Sequence, residues 1–256
     1  MRDAWSPETY HRFQQERSRP FYDLCEMVRP RPGMRILDLG CGSGELTQYL
    51  HERFEASETI GLDASDNMLE KARALEGKGL RFVKGQIELD PVAGEFDLIF
   101  SNAALQWVPE HEKILAIYAG KLRPGGQIAA QLPYNENSMF HAAARDVAQE
   151  FGGPLGGYVR HLEALAPEEY ARLLFRLGFA EQEVLLRVYA HVLPSLDDVV
   201  AWYRGTLLTT YEARLNKETF ERFVARYREV LGQRFEDARP FFFPFPRVLL
   251  WGSRRV

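Results

Sequence analysis

The sequence predicts an α/β fold in which a mostly parallel sheet is covered by helices on both faces, and three observations carry that expectation. From residue 35 to residue 132, short apolar runs of strand length alternate with stretches of helical periodicity. The runs are continuously apolar, as strands buried on both faces must be. The first of them opens into Gly40-Cys41-Gly42-Ser43-Gly44, a turn in which a buried strand hands over to a helix.

Taken in order, residues 35–39 form the first strand, and residues 45–54 follow as a helix with Leu46, Tyr49, Leu50 and Phe54 at helical spacing. Residues 59–63 are the second strand. Ser65 can cap the next helix, which carries Met68, Leu69 and Ala72. Strands follow at 80–83 and 96–100, and a helix at 112–122 places Leu115, Tyr118 and Leu122 on one face. Arg123-Pro124-Gly125-Gly126 stops that helix, and residues 127–132 are a fifth strand. Right-handed crossovers fix the winding. After Leu132 the pattern changes. A mixed helical and Gly-rich stretch leads to a helix at 167–177 with Pro167 in its first turn, and then to a strand at 183–193. Ser195 and Asp198 can cap a further helix through Tyr203, and Phe220, Phe223, Val224, Tyr227 and Leu231 form a helical stripe. The aromatic run 241–246 either walls a pocket or packs as it leads into a last strand at 247–251.

Composition bounds the function. The 256 residues are 46% hydrophobic and 27% charged with a net charge of -4, an ordinary globular profile. No basic excess points to nucleic acid, although a local arginine cluster would still take an acidic substrate. The two cysteines, Cys25 and Cys41, lack zinc spacing, and no metal site is expected. The polar start, Met1 to Pro7, has no apolar signal core, and no apolar run approaches the ~20 residues of a membrane span. A cytoplasmic protein with no membrane or nucleic-acid partner is expected, as a monomer, with oligomers left open.

The glycine turn points to a nucleoside ligand. Glycines allow close backbone approach, and the helix start offers N–H groups that lack partners within the helix. Taken alone, the turn also reads as a plain strand-to-helix connection. The next strand ends in Asp63, nineteen positions after Gly44. An acid there can accept both hydroxyls of a ribose, the bland alternative being a capping or surface aspartate. A dinucleotide fingerprint would place glycine at Glu45, and here an acid, Asp38, precedes the turn. Carboxylates repel a pyrophosphate but suit a ligand carrying an ammonium and a sulfonium, which favours S-adenosylmethionine over NAD.

The pattern acid-x-Gly-x-Gly-x-Gly with a second acid at Asp63 resembles the class I methyltransferase family over about residues 34–132. The resemblance implies a Rossmann-like, seven-stranded, mostly parallel sheet with a helical cap. It implies a cofactor site of Asp38, Gly40, Gly42, Gly44, Asp63, Ala64, Met68, Gln86, Ile87 and Asn102. Gln86 stands where aspartate is common, and its amide oxygen can accept from the adenine amine; a solvated turn is the alternative. The segment Asn102-Ala103-Ala104-Leu105-Gln106-Trp107 corresponds to the place where methyl donor and acceptor meet, which implies catalytic roles for Asn102, Gln106 and Trp107.

Further strings resemble the trans-aconitate methyltransferase family across almost the whole chain: Trp5-Ser6-Pro7-Glu8-Thr9-Tyr10, Glu16-Arg17-Ser18-Arg19-Pro20, Ser101 to Trp107, Gln131-Leu132-Pro133 and Phe245-Pro246-Arg247. That family methylates a carboxylate of a tricarboxylate. A carboxylate is ionised at neutral pH and needs no general base; the enzyme must supply alignment and exclude water. A multi-anionic acid needs cationic forks, and Tyr10, Arg17, Arg19, Trp107, Arg204 and Arg247 are the candidate substrate residues, each arginine having a surface ion pair as its alternative. The family also carries Gly-Thr-x-Leu-Arg-Pro after a cap tryptophan. Here Trp202 precedes Gly205-Thr206-Leu207-Leu208-Thr209-Thr210, with Thr209 in place of the arginine and Thr210 in place of the proline. Arg204 or Arg214 could compensate, and a less charged acid is also compatible.

The expected product is therefore a methyl ester of a small organic acid, with trans-aconitate the leading substrate. The alternatives are a methyltransferase for an apolar acid, phenol or carbon nucleophile, and a non-catalytic S-adenosylmethionine-binding protein. One methyltransferase domain is expected over 1–256. Its core is expected at about 20–135, 180–194 and 240–256, and its cap or lid at about 1–19, 136–170 and 196–238. Residues 248–251 should be the antiparallel strand, set between two core strands.

Overall fold

The computed structural model describes residues 14–236 and 238–256, with side chains from Ser18 onward. The expected lid over residues 1–13, including Tyr10, and the side chain of Arg17 lie outside the described residues.

The first half follows the predicted alternation. Helix α1 (Gln14–Met27) leads to β1 (Arg35–Leu39), α2 (Glu45–Arg53), β2 (Glu58–Asp63), α3 (Asp66–Arg73), β3 (Leu80–Lys84), β4 (Phe96–Asn102), α4 (His111–Ala119) and β5 (Leu122–Pro133). Two short 3-10 turns, Ile87–Leu89 and Leu105–Trp107, follow β3 and β4. The later elements are α5 (Met139–Glu150), α6 (Gly152–Leu155), α7 (Pro167–Arg176), β6 (Glu181–Leu193), α8 (Leu196–Arg204), α9 (Thr209–Glu212), α10 (Lys217–Arg234) and β7 (Phe241–Ser253). The seven strands form one sheet in the order β3-β2-β1-β4-β5-β7-β6. β1 to β5 pair in parallel. β7 runs antiparallel beside β5, from Gln127↔Ser253 to Pro133↔Arg247, and lies between β5 and β6 as expected.

The core explains the apolar runs. Leu37, Ile60, Leu62, Leu98, Phe100, Ile128, Leu132, Val248 and Leu250 are all at least 98% buried, as central strands covered on both faces require. At Gln127 a polar side chain inside this core is satisfied. The Gln127 carbonyl accepts from Arg29 N and Trp251 Nε1, both at 2.8 Å, and its amide donates to Arg29 O at 2.7 Å.

Two local expectations need correction. The sequence reading runs the helix over 112–122, stops it with Arg123–Gly126 and starts the strand at Gln127. In the structure α4 ends at Ala119 and β5 starts at Leu122. Leu122 pairs with Phe96, pairing resumes at Gln127↔Leu98, and the Pro-Gly-Gly stretch is carried as a bulge between them. The apolar Leu122 thus belongs to the sheet rather than to the helix stripe. The second correction concerns Ser195, which precedes α8 but does not cap it. Its hydroxyl donates to Asp198 Oδ2 at 2.8 Å.

The chain forms two compact units. One comprises 19–134, 163–187 and 247–256 and holds β1 to β5 with the first part of β6 and the last part of β7. The other includes Asn135–Leu162 and Val188–Pro246 and is mainly helical. Its own core is aromatic. Phe243, fully buried, meets Phe140 at 5.1 Å, Trp202 and Tyr203 at 5.6 Å and His191 at 6.1 Å between ring centroids. Phe241, Phe243 and Phe245 are buried while Phe242 is 59% exposed. That alternation makes the aromatic run a packed strand.

Candidate active site

The carboxyl ends of β1, β2, β3 and β4 gather the residues singled out in the sequence, where open α/β sheets bind ligands. After β1 the chain turns through Gly40 (φ 77°) and Gly42 (φ 57°). The N–H groups of Gly40 and Cys41 donate to Leu62 O at 2.8 and 3.0 Å, which pins the turn to β2. A Cβ on Gly40 would stand 2.2 Å from the Ala104 Cβ, so this glycine lets β1 and the segment after β4 touch. A Cβ on Gly42 would meet nothing within 4 Å, so the backbone is open there. Gly44 precedes α2 without a side-chain cap, leaving the orphan N–H groups of a helix start.

Asp63, at the end of β2, braces this turn. Its Oδ2 accepts from Gly42 N and its Oδ1 from Ser65 N, both at 2.9 Å. Ser65 caps α3 by accepting from Met68 N, as expected. Ala64 is exposed and Met68 half-buried beside it. Asp38 turns inward instead: it is 4% exposed and accepts from Thr47 Oγ1 on α2 at 2.6 Å. Burial pushes its carboxyl up to about 7, helped by the charge of Asp63 and opposed by the Thr47 bond. After β3, Gln86 is exposed and Ile87 buried. Ile87 O accepts from Tyr118 at 2.8 Å, and its Cδ1 lies 4.0 Å from where a Gly40 Cβ would be.

The end of β4 is the most constrained part. Ser101 Oγ donates to Leu39 O at 3.0 Å, tying β4 to β1. Ala103 has φ 52°, a left-handed conformation that a non-glycine residue adopts at a cost. It is held by its N–H to Gln131 O at 2.9 Å and by Gln106 Nε2 donating to its carbonyl at 2.6 Å. Gln106 Oε1 is buried with no hydrogen-bond partner. Asn102 accepts from Gln131 Nε2, and Gln131 Oε1 accepts from Arg247 Nη1 at 2.9 Å, so β4, β5 and β7 are linked side chain to side chain. Trp107 stands 46% exposed on the 3-10 turn that follows.

His111 supports that turn from behind. Its Nε2 donates to Leu105 O at 2.8 Å, so its Nδ1 accepts from Tyr170 OH at 2.5 Å, and that oxygen accepts from Leu165 N at 3.3 Å. Burial pushes the imidazole below its ordinary value. Gln131, His111 and Tyr170 carried no expected role. For Gln131 the available signal was an amide inside an otherwise apolar strand.

The arginines differ. Arg19 is exposed. Arg247 is 6% exposed and engaged with Gln131. Arg204 forms a bidentate pair with Glu221 and lies 5.4 Å from the Phe220 ring centroid, the bland alternative for that position. Among the described residues no cluster of His, Cys, Asp or Glu could hold a metal, and no helix is long and apolar enough to cross a membrane.

The residues present fit S-adenosylmethionine. The turn offers open backbone at Gly42, an acid at Asp63 beside it, and an orphaned buried acceptor at Gln106. A methyltransferase domain family matches residues 37–130. Trans-aconitate 2-methyltransferase of Deinococcus radiodurans is 40% identical over 257 residues, covering 98% of this chain and 98% of the relative. The protein of the same name from Streptomyces avermitilis is 38% identical, covering 96% and 95%. An S-adenosylmethionine-dependent methyltransferase from Mesorhizobium loti, 21% identical, shares the fold with a TM-score of 0.52 over 91% of this chain and 97% of that one. Fold and family thus define a class I S-adenosylmethionine-dependent methyltransferase. Within that class, the chain belongs to the family of the trans-aconitate 2-methyltransferases.

Proposed function

We propose that this enzyme methylates a carboxylate of a small organic acid, with trans-aconitate as the leading substrate. The observation that carries the reading is the end-to-end match to relatives named for that reaction, joined to a methyl-transfer segment without an available base. His111, next to that segment, has both ring nitrogens engaged. An acceptor that must lose a proton is poorly served there, whereas a carboxylate arrives ionised.

The bound cofactor supplies an electrophilic methyl on a sulfonium. Asp63 takes the ribose hydroxyls while still holding Gly42 and Ser65, since a carboxylate offers about four acceptor positions. The open Gly42 backbone, Gly40, Gly44, Ala64 and Met68 line the nucleoside, and Gln86 with Ile87 meets the adenine. Asp38 acts through Thr47 and the start of α2, adding negative potential toward the cofactor's cationic groups. Asn102, Gln106 and Trp107 align donor and acceptor, with Gln131 and Arg247 fixing the Asn102 side chain. Arg247, Trp107 and Arg19 are the proposed acid contacts from the sheet unit.

A screen of carboxylic acids with labelled methyl donor and mass analysis tests the reading. Methyl transfer to trans-aconitate is expected. Transfer to phenols or carbon acids, with no carboxylic acid modified, would refute it.

A further inference from the structure

The sheet ends on an open strand. β6 follows β7 in the strand order, and among the described residues no strand pairs along its other edge. Such an edge presents a row of unpaired N–H and C=O groups, which native sheets blunt with proline, lysine or a short strand. β6 is 13 residues long, and Glu181–Leu193 contains neither proline nor lysine. Its stretch in the sheet unit carries Val184-Leu185-Leu186 instead, with Leu185 37% and Leu186 52% exposed. Phe175 of α7, 74% exposed, lines a shallow depression with Arg172, Arg176 and Gln182 of β6. Side chains alternate along a strand. Leu186 thus shares a face with Val184, which packs partly buried against the sheet core, and Leu185 shares the other face with Glu183 and Arg187.

Residues 183–187, Glu-Val-Leu-Leu-Arg, complement themselves when one copy is reversed. In an antiparallel pair centred on Leu185, Glu183 stands opposite the second copy's Arg187, Val184 opposite its Leu186, and Leu185 opposite its own counterpart. Apolar and opposite-charge pairs placed this way stabilise a sheet, whereas like charges directly opposite destabilise it. Centring the pair on Glu183 or Arg187 would set like charges against each other. Arg187 also holds Asp23 at 3.2 Å, with its side chain 45% exposed. A guanidinium has five donors and can serve both carboxylates. So short a pairing falls below the roughly 1,200–2,000 Å² of a standard interface, which makes the association concentration-dependent.

We propose that the β6 edge binds a second copy of this chain, by antiparallel pairing of residues 183–187 about Leu185, to give a two-fold dimer with a continuous sheet. Sedimentation velocity of the full chain over a dilution series tests it. Wild type should pass from monomer to dimer as concentration rises. Position 185 meets itself only in this register, so Leu185→Lys and Leu185→Glu should each weaken association about tenfold or more. An equal mixture of the two variants should restore it, because lysine then stands opposite glutamate. Wild-type unfolding midpoints are expected for both, since the side chain is exposed. Wild type that stays monomeric at every concentration, a variant that associates as wild type does, or a mixture no stronger than its parts would overturn the proposal.

Discussion

Asp63 holds the backbone N–H of Gly42 at 2.9 Å, so the proposed ribose ligand is also the brace of the glycine turn. Asp63→Ala should therefore affect both cofactor binding and stability. A hydrogen bond to a charged group contributes roughly 1.5–3 kcal/mol. Calorimetry with S-adenosylhomocysteine should show at least about a tenfold loss, and denaturant unfolding a loss of about 1 kcal/mol or more. Unchanged affinity would remove Asp63 from the cofactor site.

Gly40 and Gly42 should respond differently to alanine. At Gly40 the new Cβ would lie 2.2 Å from Ala104, and φ is 77°, so Gly40→Ala should destabilise the free protein by roughly 2 kcal/mol or more. At Gly42 the space is open, and Gly42→Ala should cost roughly 1–2 kcal/mol from φ alone. Its larger effect should fall on cofactor affinity. Equal unfolding midpoints for the two variants would contradict this contrast.

Asp38 should make stability depend on pH. Its folded value, about 7, exceeds the ordinary 3.8. The folded state therefore binds the proton more tightly, and the contribution is fully present below pH 3.8 and is lost as pH rises through 7. One pKa unit corresponds to about 1.4 kcal/mol. Asp38→Asn cannot ionise, so its stability relative to wild type should improve by about 2 kcal/mol between pH 5 and pH 8. A constant difference across that range would show that Asp38 is not a strained buried acid.

The strands, the glycine turn and Asp63 were legible in the sequence because their signals are local. Apolar runs, glycines and the Ser65 cap act within a few positions of themselves. The boundary at Leu122 was not, because Leu122 joins the sheet through Phe96 across a bulge. Other site features were hidden for the same reason. Gln131 meets Arg247 across 116 positions. No local pattern distinguishes such residues from ordinary polar positions.

His111 should act by position rather than as a base. His111→Gln should lower kcat several-fold by loosening Leu105 and Tyr170, while the shape of kcat against pH stays that of wild type. Loss of an acidic limb from the profile in that variant would assign the imidazole a proton-transfer role.

The central claim is that the methyl ends on a carboxylate oxygen. Incubation with trans-aconitate and methyl-labelled S-adenosylmethionine, followed by mild alkaline hydrolysis of the isolated product, tests it most directly. The account predicts that the label is released as methanol and that trans-aconitate is regenerated. Label that resists base, held on carbon, would contradict it.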